Sequence, residues 1–218
     1  MTSGDLPFCS VLIASTQIGP EGSGDMANDT AHTALLVMDV QRGVVERFTG
    51  ASELLSRLAR AIEAARGAGI PLMFVRVAFR AGHPEVSARN RSFSALASQA
   101  GTTFMEESEA TQIHPAVAPR AEDPVVVKKR VSAFSGSDLE VLLRSLDIIH
   151  LVLTGIATSG VVLSTLREAA DKDYRLTVLA DGCLDADEEV HRVLIEKLFP
   201  RQADVVSVDE WVSSLSGG

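Results

Sequence analysis

Leu35-Leu36-Val37-Met38-Asp39-Val40-Gln41 decides the fold. Four apolar residues in succession suit a strand buried on both faces, as in a parallel sheet covered by helices. The run ends in a carboxylate, which is costly in a dry setting unless something pairs with it. The stretch therefore places Asp39 where the strand leaves the sheet, facing a cleft. In open α/β sheets that edge, the carboxyl ends of the strands, is where ligands bind. The structural alternative is that Asp39 caps the next helix.

Working outward, strand and helix patterns alternate. Residues 34–39 are the first strand. A helix over Ala51–Arg66 carries Leu54, Leu55, Leu58, Ala61, Ile62 and Ala65 on one stripe, and Gly67 and Gly69 stop it. Pro71–Val77 is the second strand. Residues 78–123 are irregular, with Gly82, Pro84, Gly101, Pro115 and Pro119, and with a helix around Ser92–Ala100. A segment of that length without regular structure is a functional or mobile one. Val125–Val127 is the third strand and runs into Lys128-Lys129-Arg130. Helices over Asp138–Leu146, Ser159–Lys172 and Glu188–Phe199 alternate with strands over Ile148–Thr154, Leu176–Ala180 and Ala203–Val208, and Asp209–Leu215 is a last helical turn. In the Glu188–Phe199 helix, Val190, Val193, Leu194 and Leu198 face inward. The alternation predicts a three-layer αβα fold, a six-stranded parallel sheet with helices on both faces.

Composition limits the function classes. With 218 residues, 46% of them apolar, the chain supports one large α/β domain. A net charge of −9, from 29 acidic and 20 basic residues, argues against a nucleic-acid or anionic-membrane surface. Cys9 and Cys183 form no disulfide framework and no CxxC pair, which fits a reducing, cytoplasmic compartment. No apolar run approaches the ~20 residues that span a bilayer. Ile18–Thr30 has a linker composition, so residues 1–30 read as a flexible N-terminal extension and residues 31–218 as the domain. Within the extension, Val11-Leu12-Ile13-Ala14 is a short apolar run. His32, His83, His114, His150 and His191 show no ligand spacing, and no metal or other cofactor is expected.

Three strand ends carry polar signals: Asp39, Lys128 and Gly155-Ile156-Ala157-Thr158-Ser159-Gly160. A parallel sheet puts all three on one edge. A carboxylate facing an ammonium keeps both charged and tunes either pKa. The third segment leaves backbone N–H groups at a helix N-terminus, an oxyanion site if nothing else uses them. It is neither GxGxxG nor GxSxG, so neither a dinucleotide site nor a nucleophile elbow is supported. Thr158 and Ser159 are hydroxyls with no base supplied nearby in the sequence, and capping is their ordinary role.

These residues resemble the isochorismatase-like, or cysteine hydrolase, superfamily. The likeness rests on Ala34–Gln41, on Lys128 four residues before Ser132-Ala133-Phe134, on Gly155-Ile156-Ala157-Thr158 and on Ser164-Thr165, and it covers roughly residues 33–210. It implies a homo-oligomer (dimer or tetramer), an Asp–Lys–Cys triad, and a cis peptide at Ile156–Ala157. The chain departs from that pattern at Val161, which stands where the family has its cysteine. Thioester chemistry has no nucleophile there. Cys183 follows the fifth strand and reads as a small packed residue. Isochorismatases proper also lack the cysteine and cleave a vinyl ether with the Asp as general acid. The nicotinamidase branch carries a metal-binding Asp-x-His with no equivalent here. The resemblance thus implies a hydrolase of a small molecule. Asp39 is its acid/base and Lys128 holds the charge. The N–H groups of Gly160 and Val161, placed by Ile156–Ala157, bind a substrate oxygen. Gln41, Phe48, Thr158 and Ser159 are candidate substrate-binding residues. The alternative is a non-catalytic member that binds a small molecule or a protein partner.

Overall fold

A computed structural model of the protein describes residues 30–216, so the expected flexible extension lies outside the described residues apart from Thr30. Six strands form one parallel sheet: β1 (Thr33–Met38), β2 (Leu72–Val77), β3 (Val125–Lys128), β4 (His150–Ile156), β5 (Arg175–Leu184) and β6 (Asp204–Val206), in the order β3-β2-β1-β4-β5-β6. β1 lies centrally, and all six of its residues are buried, as its unbroken apolar run requires.

The period of two along β1 divides the interior. Leu35 and Val37 face the helices α2 (Ala51–Gly67) and α7 (Val208–Leu215), where Leu58, Ala61, Ile62 and Trp211 are buried. Ala34, Leu36 and Met38 face α4 (Leu139–Ser145) and α5 (Leu163–Asp171). The stripe on α2 is buried at every position read from the sequence. Each such Leu or Ile contributes about 1.5–3 kcal/mol through burial.

The remaining helices are α1 (Arg42–Val45), α3 (Arg91–Ala100) and α6 (Glu188–Val193). Residues 78–123 are more ordered than their composition suggests. Phe79, Phe93 and Phe104 build a small core of their own with Val77, and Phe79 meets Phe93 edge to face at 5.6 Å. Isolated bridges tie Phe79 to Met105 and Gln41 to Ile113.

Three readings need correction. The fifth strand continues past Ala180 to Leu184, because an irregularity in its pairing with β4 absorbs Asp181-Gly182 and lets Gly155 pair with Cys183. Cys183 therefore lies within β5 and does not follow it. The Glu188–Phe199 helix is continuous but changes pitch: α6 widens over Leu194–Leu198 and tightens over Phe199–Arg201. Val190 is exposed, not inward. The sixth strand is shorter than read, and Val208 belongs to α7.

Candidate active site

Asp39 is the first residue beyond β1. It sits in the left-handed region (φ 55°), a conformation that Asp tolerates better than most residues. It caps no helix. The N-cap of α1 is Gln41, which makes no side-chain capping bond. On the neighbouring strand Met38 pairs with Gly155, so Asp39 and the Ile156–Ala157 bond leave adjacent strand ends. That bond is cis.

Lys128 ends β3, two strands away from β1, and its long side chain crosses the end of β2. Its Nζ stands 2.9 Å from Asp39 Oδ2 and donates to the carbonyl oxygens of Arg130 and Val131, both at 3.0 Å. All three ammonium protons are thus used, at a residue only 2% exposed. Asp39 is also buried, and its Oδ1 has no hydrogen-bond partner among the described residues. Burial raises the Asp39 carboxyl above its ordinary range, and Lys128 together with the Val77 backbone offsets only part of that rise. Lys129, the other lysine of the pair, points elsewhere, to the Ala78 carbonyl and Glu106.

The motifs that carried the resemblance touch one another. Thr165 Oγ1 on α5 accepts from the Ala133 N–H at 2.9 Å, fixing the Ser132-Ala133-Phe134 turn that follows Lys128. Val161 is buried in the core on the α4–α5 side of the sheet. It belongs to a wide turn over Thr158–Val162, whose Val162 N–H reaches Ala157 O at 3.3 Å.

Several expected site residues have other work in this structure. The Gly160 N–H donates to Ala157 O at 3.1 Å, so it is not a bare oxyanion donor. The Ser159 N–H is held by Asp185 Oδ2 at 2.6 Å, and Ser159 itself is exposed. Gln41 is wholly buried. Its amide donates to Val77 O and Thr111 O and accepts from the Val77 N–H, so it joins the exits of β1 and β2 to the 108–111 turn and has no donor left for a ligand. Phe48 is half-buried and packs against the core on the α2–α7 side of the sheet.

The side chain that meets Thr158, which the sequence did not offer, is His191. Its Nδ1 lies 2.8 Å from Thr158 Oγ1. Burial lowers the His191 pKa against an opposing pull from Asp185. Sequence reading passed over both residues because the groups they meet, Thr158 and the Ser159 N–H, lie 33 and 26 positions away. The one available signal was their place after the fifth strand, on the same sheet edge as Asp39. Cys183 is buried, with its thiol pushed up to about 12 by desolvation. Elsewhere on the molecule, Phe79, Arg80, Ala81, Thr102, Met105 and Glu106 are among the residues lining a cavity of about 470 Å³, which neither Asp39 nor Lys128 lines.

Comparison with known proteins agrees with this architecture. The Isochorismatase domain model matches residues 33–210. The uncharacterized isochorismatase family protein YecD of Escherichia coli O157:H7 is 31% identical over 187 residues, covering 84% of this chain and 96% of its own. The ureidoacrylate amidohydrolase RutB of Methylobacterium radiotolerans is 33% identical over 209 residues, covering 84% and 81%. The crystal structure of a cysteine hydrolase from Pseudomonas syringae pv. phaseolicola 1448A superposes with a TM-score of 0.78 at 21% identity, covering 86% of this chain and 94% of that one, which speaks to the fold. From its central strand to its terminal helix, the chain belongs to the isochorismatase family, within the isochorismatase-like cysteine hydrolase superfamily.

Proposed function

We propose that the protein is a small-molecule hydrolase that uses Asp39 as general acid and base, with Lys128 as its fixed counter-charge and no thiol nucleophile. The observation that carries this reading is the asymmetry of Asp39. One oxygen is held by Lys128 at 2.9 Å, while the other is buried and unpartnered. A carboxyl raised by burial holds a proton closer to neutral pH than an exposed one, as a general acid must.

A vinyl ether suits this equipment. Asp39 protonates the terminal alkene carbon, the ether oxygen stabilises the resulting cation, and water adds to it. The proton lost by that water returns to Asp39, and the hemiketal collapses to a ketone and an alcohol. Nothing in that sequence needs a residue-bound intermediate. Amide cleavage, which the name of the RutB relative denotes, needs a nucleophile, and Val161 supplies none. Of the turn's amides, Val161 N–H is the candidate donor to a substrate oxygen. The close Asp39–Lys128 contact favours catalysis over a purely binding role, for which the pair has no need to meet.

The test is a panel of vinyl ethers, amides and esters assayed with wild type and Asp39→Asn. Turnover of a vinyl ether, lost in Asp39→Asn and untouched by iodoacetamide, is the expected outcome. Activity that survives Asp39→Asn, or that disappears in step with labelling of Cys183, overturns the reading.

A further inference from the structure

Two side chains that the chemistry at Asp39 does not use converge on the Thr158–Val162 turn. His191, on α6, has its Nδ1 2.8 Å from Thr158 Oγ1. Asp185, just beyond β5, accepts the Ser159 N–H on Oδ2 at 2.6 Å. Its Oδ1 accepts the Asp187 N–H at 3.4 Å, and Asp187 in turn caps α6 through the N–H groups of Glu189 and Val190. One short stretch, residues 185–191, thus grips two consecutive residues of the turn from outside.

The turn has reason to need that grip. The N–H groups of Gly160 and Val162 share one acceptor, Ala157 O, at 3.1 and 3.3 Å. A wide turn of this kind is rare and gathers at functional sites.

Burial sets the direction of the Thr158–His191 bond. Thr158 is 0% exposed, so water does not reach its hydroxyl, and among the described residues His191 is the hydroxyl's partner. A buried hydroxyl proton left without an acceptor is costly. The O–H therefore donates to Nδ1, and the imidazole proton stands on Nε2. Desolvation lowers the His191 pKa, with Asp185 pulling the other way, which keeps the ring neutral near pH 7. A neutral ring can accept at Nδ1, and a protonated one cannot.

We propose that His191 is a positioning residue: by accepting the Thr158 hydroxyl proton it fixes the Thr158–Val162 turn, and with it the direction of the Val161 N–H. His191 acts through Thr158 and not on a substrate. The use of the Val161 N–H in catalysis rests on the hydrolase reading above, whereas the grip on the turn does not.

His191→Leu removes the acceptor, His191→Asn returns one, and Thr158→Val removes the donor. The imidazole nitrogen NMR spectrum of the wild type is expected to show His191 protonated on Nε2 alone, and Thr158→Val to shift its Nδ1 signal. Amide exchange at Ser159–Val162 becomes about tenfold faster in His191→Leu, the factor worth one net hydrogen bond, and stays near the wild-type rate in His191→Asn. On a vinyl ether that the wild type turns over, kcat falls roughly tenfold or more in His191→Leu at unchanged KM, short of the about 10²–10³ for losing an oxyanion donor outright, and His191→Asn recovers it. A wild-type His191 protonated on Nδ1 overturns the proposal, and this reading stands even if His191→Leu does not fold. Exchange that is equal in His191→Leu and wild type, or equally fast in His191→Leu and His191→Asn, overturns it as well. A wild type that turns over no vinyl ether removes the hydrolase reading alone, because the spectrum and the exchange still decide what His191 does.

Discussion

Lys128 spends every proton it has. One goes to Asp39 and two go to carbonyl oxygens of its own turn, so among the described residues Asp39 is the charge that answers its ammonium. Lys128→Met is expected to lose turnover, to push the Asp39 carboxyl higher still, and to cost about 3–5 kcal/mol of stability at neutral pH, the usual penalty for leaving a buried charge unpaired. Asp39→Asn with Lys128→Met restores part of that loss. Chemical denaturation of the four proteins measures the coupling. Losses that add to within about 0.5 kcal/mol mean that the two residues do not interact. A second prediction follows from the direction of the Asp39 shift. A carboxyl raised in the folded chain takes up its proton before the unfolded chain does, so the native state binds more protons over that interval. The Asp39 contribution to stability is therefore weakest at neutral pH, improves as pH falls through the folded pKa, and levels off below about 3.9, the unfolded value. The difference between wild type and Asp39→Asn in urea unfolding should follow that course, and a flat difference from about pH 7 to 4 contradicts it.

Among the elements, β4 makes the sharpest demand. Gly155 has φ 137°, and a Cβ there would stand 2.0 Å from the Met38 carbonyl oxygen. β1 and β4 come this close just before Asp39, so the glycine is what lets the two halves of the site adjoin. Gly155→Ala is expected to cost about 3 kcal/mol or more, through forbidden backbone and direct overlap together. A thermal transition unchanged from wild type would show that β1 can retreat. The same neighbourhood explains what could be read in advance. Leu35–Met38 announced a central strand because burial on both faces leaves no room for alternation. Lys128 and Asp39 announced a site because a charge at the end of such a strand needs a partner. Gln41 was read as a ligand contact because the carbonyls that occupy it, from Val77 and Thr111, are 36 and 70 positions away. Asp181-Gly182 was read as the end of β5 because a turn dipeptide inside a strand looks like a stop until its partner strand absorbs it. His191 and Asp185 became visible only once the wide turn brought Thr158 and Ser159 to them.

At the scale of the whole molecule, apolar surface remains uncovered at one end of the sheet. β3 is an edge strand. Its Val125 and the α4 residue Val141, 70% exposed, share one shallow depression with Val127, and Arg80, Glu106, Lys129 and Asp138 line it as well. An exposed edge strand is a liability in a lone chain, and we propose that a homo-oligomer, if formed, uses this face. Light scattering is expected to give a multiple of 23.2 kDa, and Val141→Glu to shift the mass toward one chain. A wild-type mass of one chain at micromolar concentration rules the assembly out.

The strand order sets a schedule for how the molecule comes together. β1 lies between β2 and β4, and its pairing with β4 joins Thr33 to His150, 117 positions apart. A chain emerging from its amino end makes Asp39 early but cannot close the far side of that strand until more than two-thirds of its length exists. Until then the most apolar strand offers a bare edge to any other chain nearby, the condition under which growing proteins aggregate. Asp39 and the turn beside it thus meet only in the last stage of assembly. Pairings this distant place folding in the range of about milliseconds to seconds rather than microseconds.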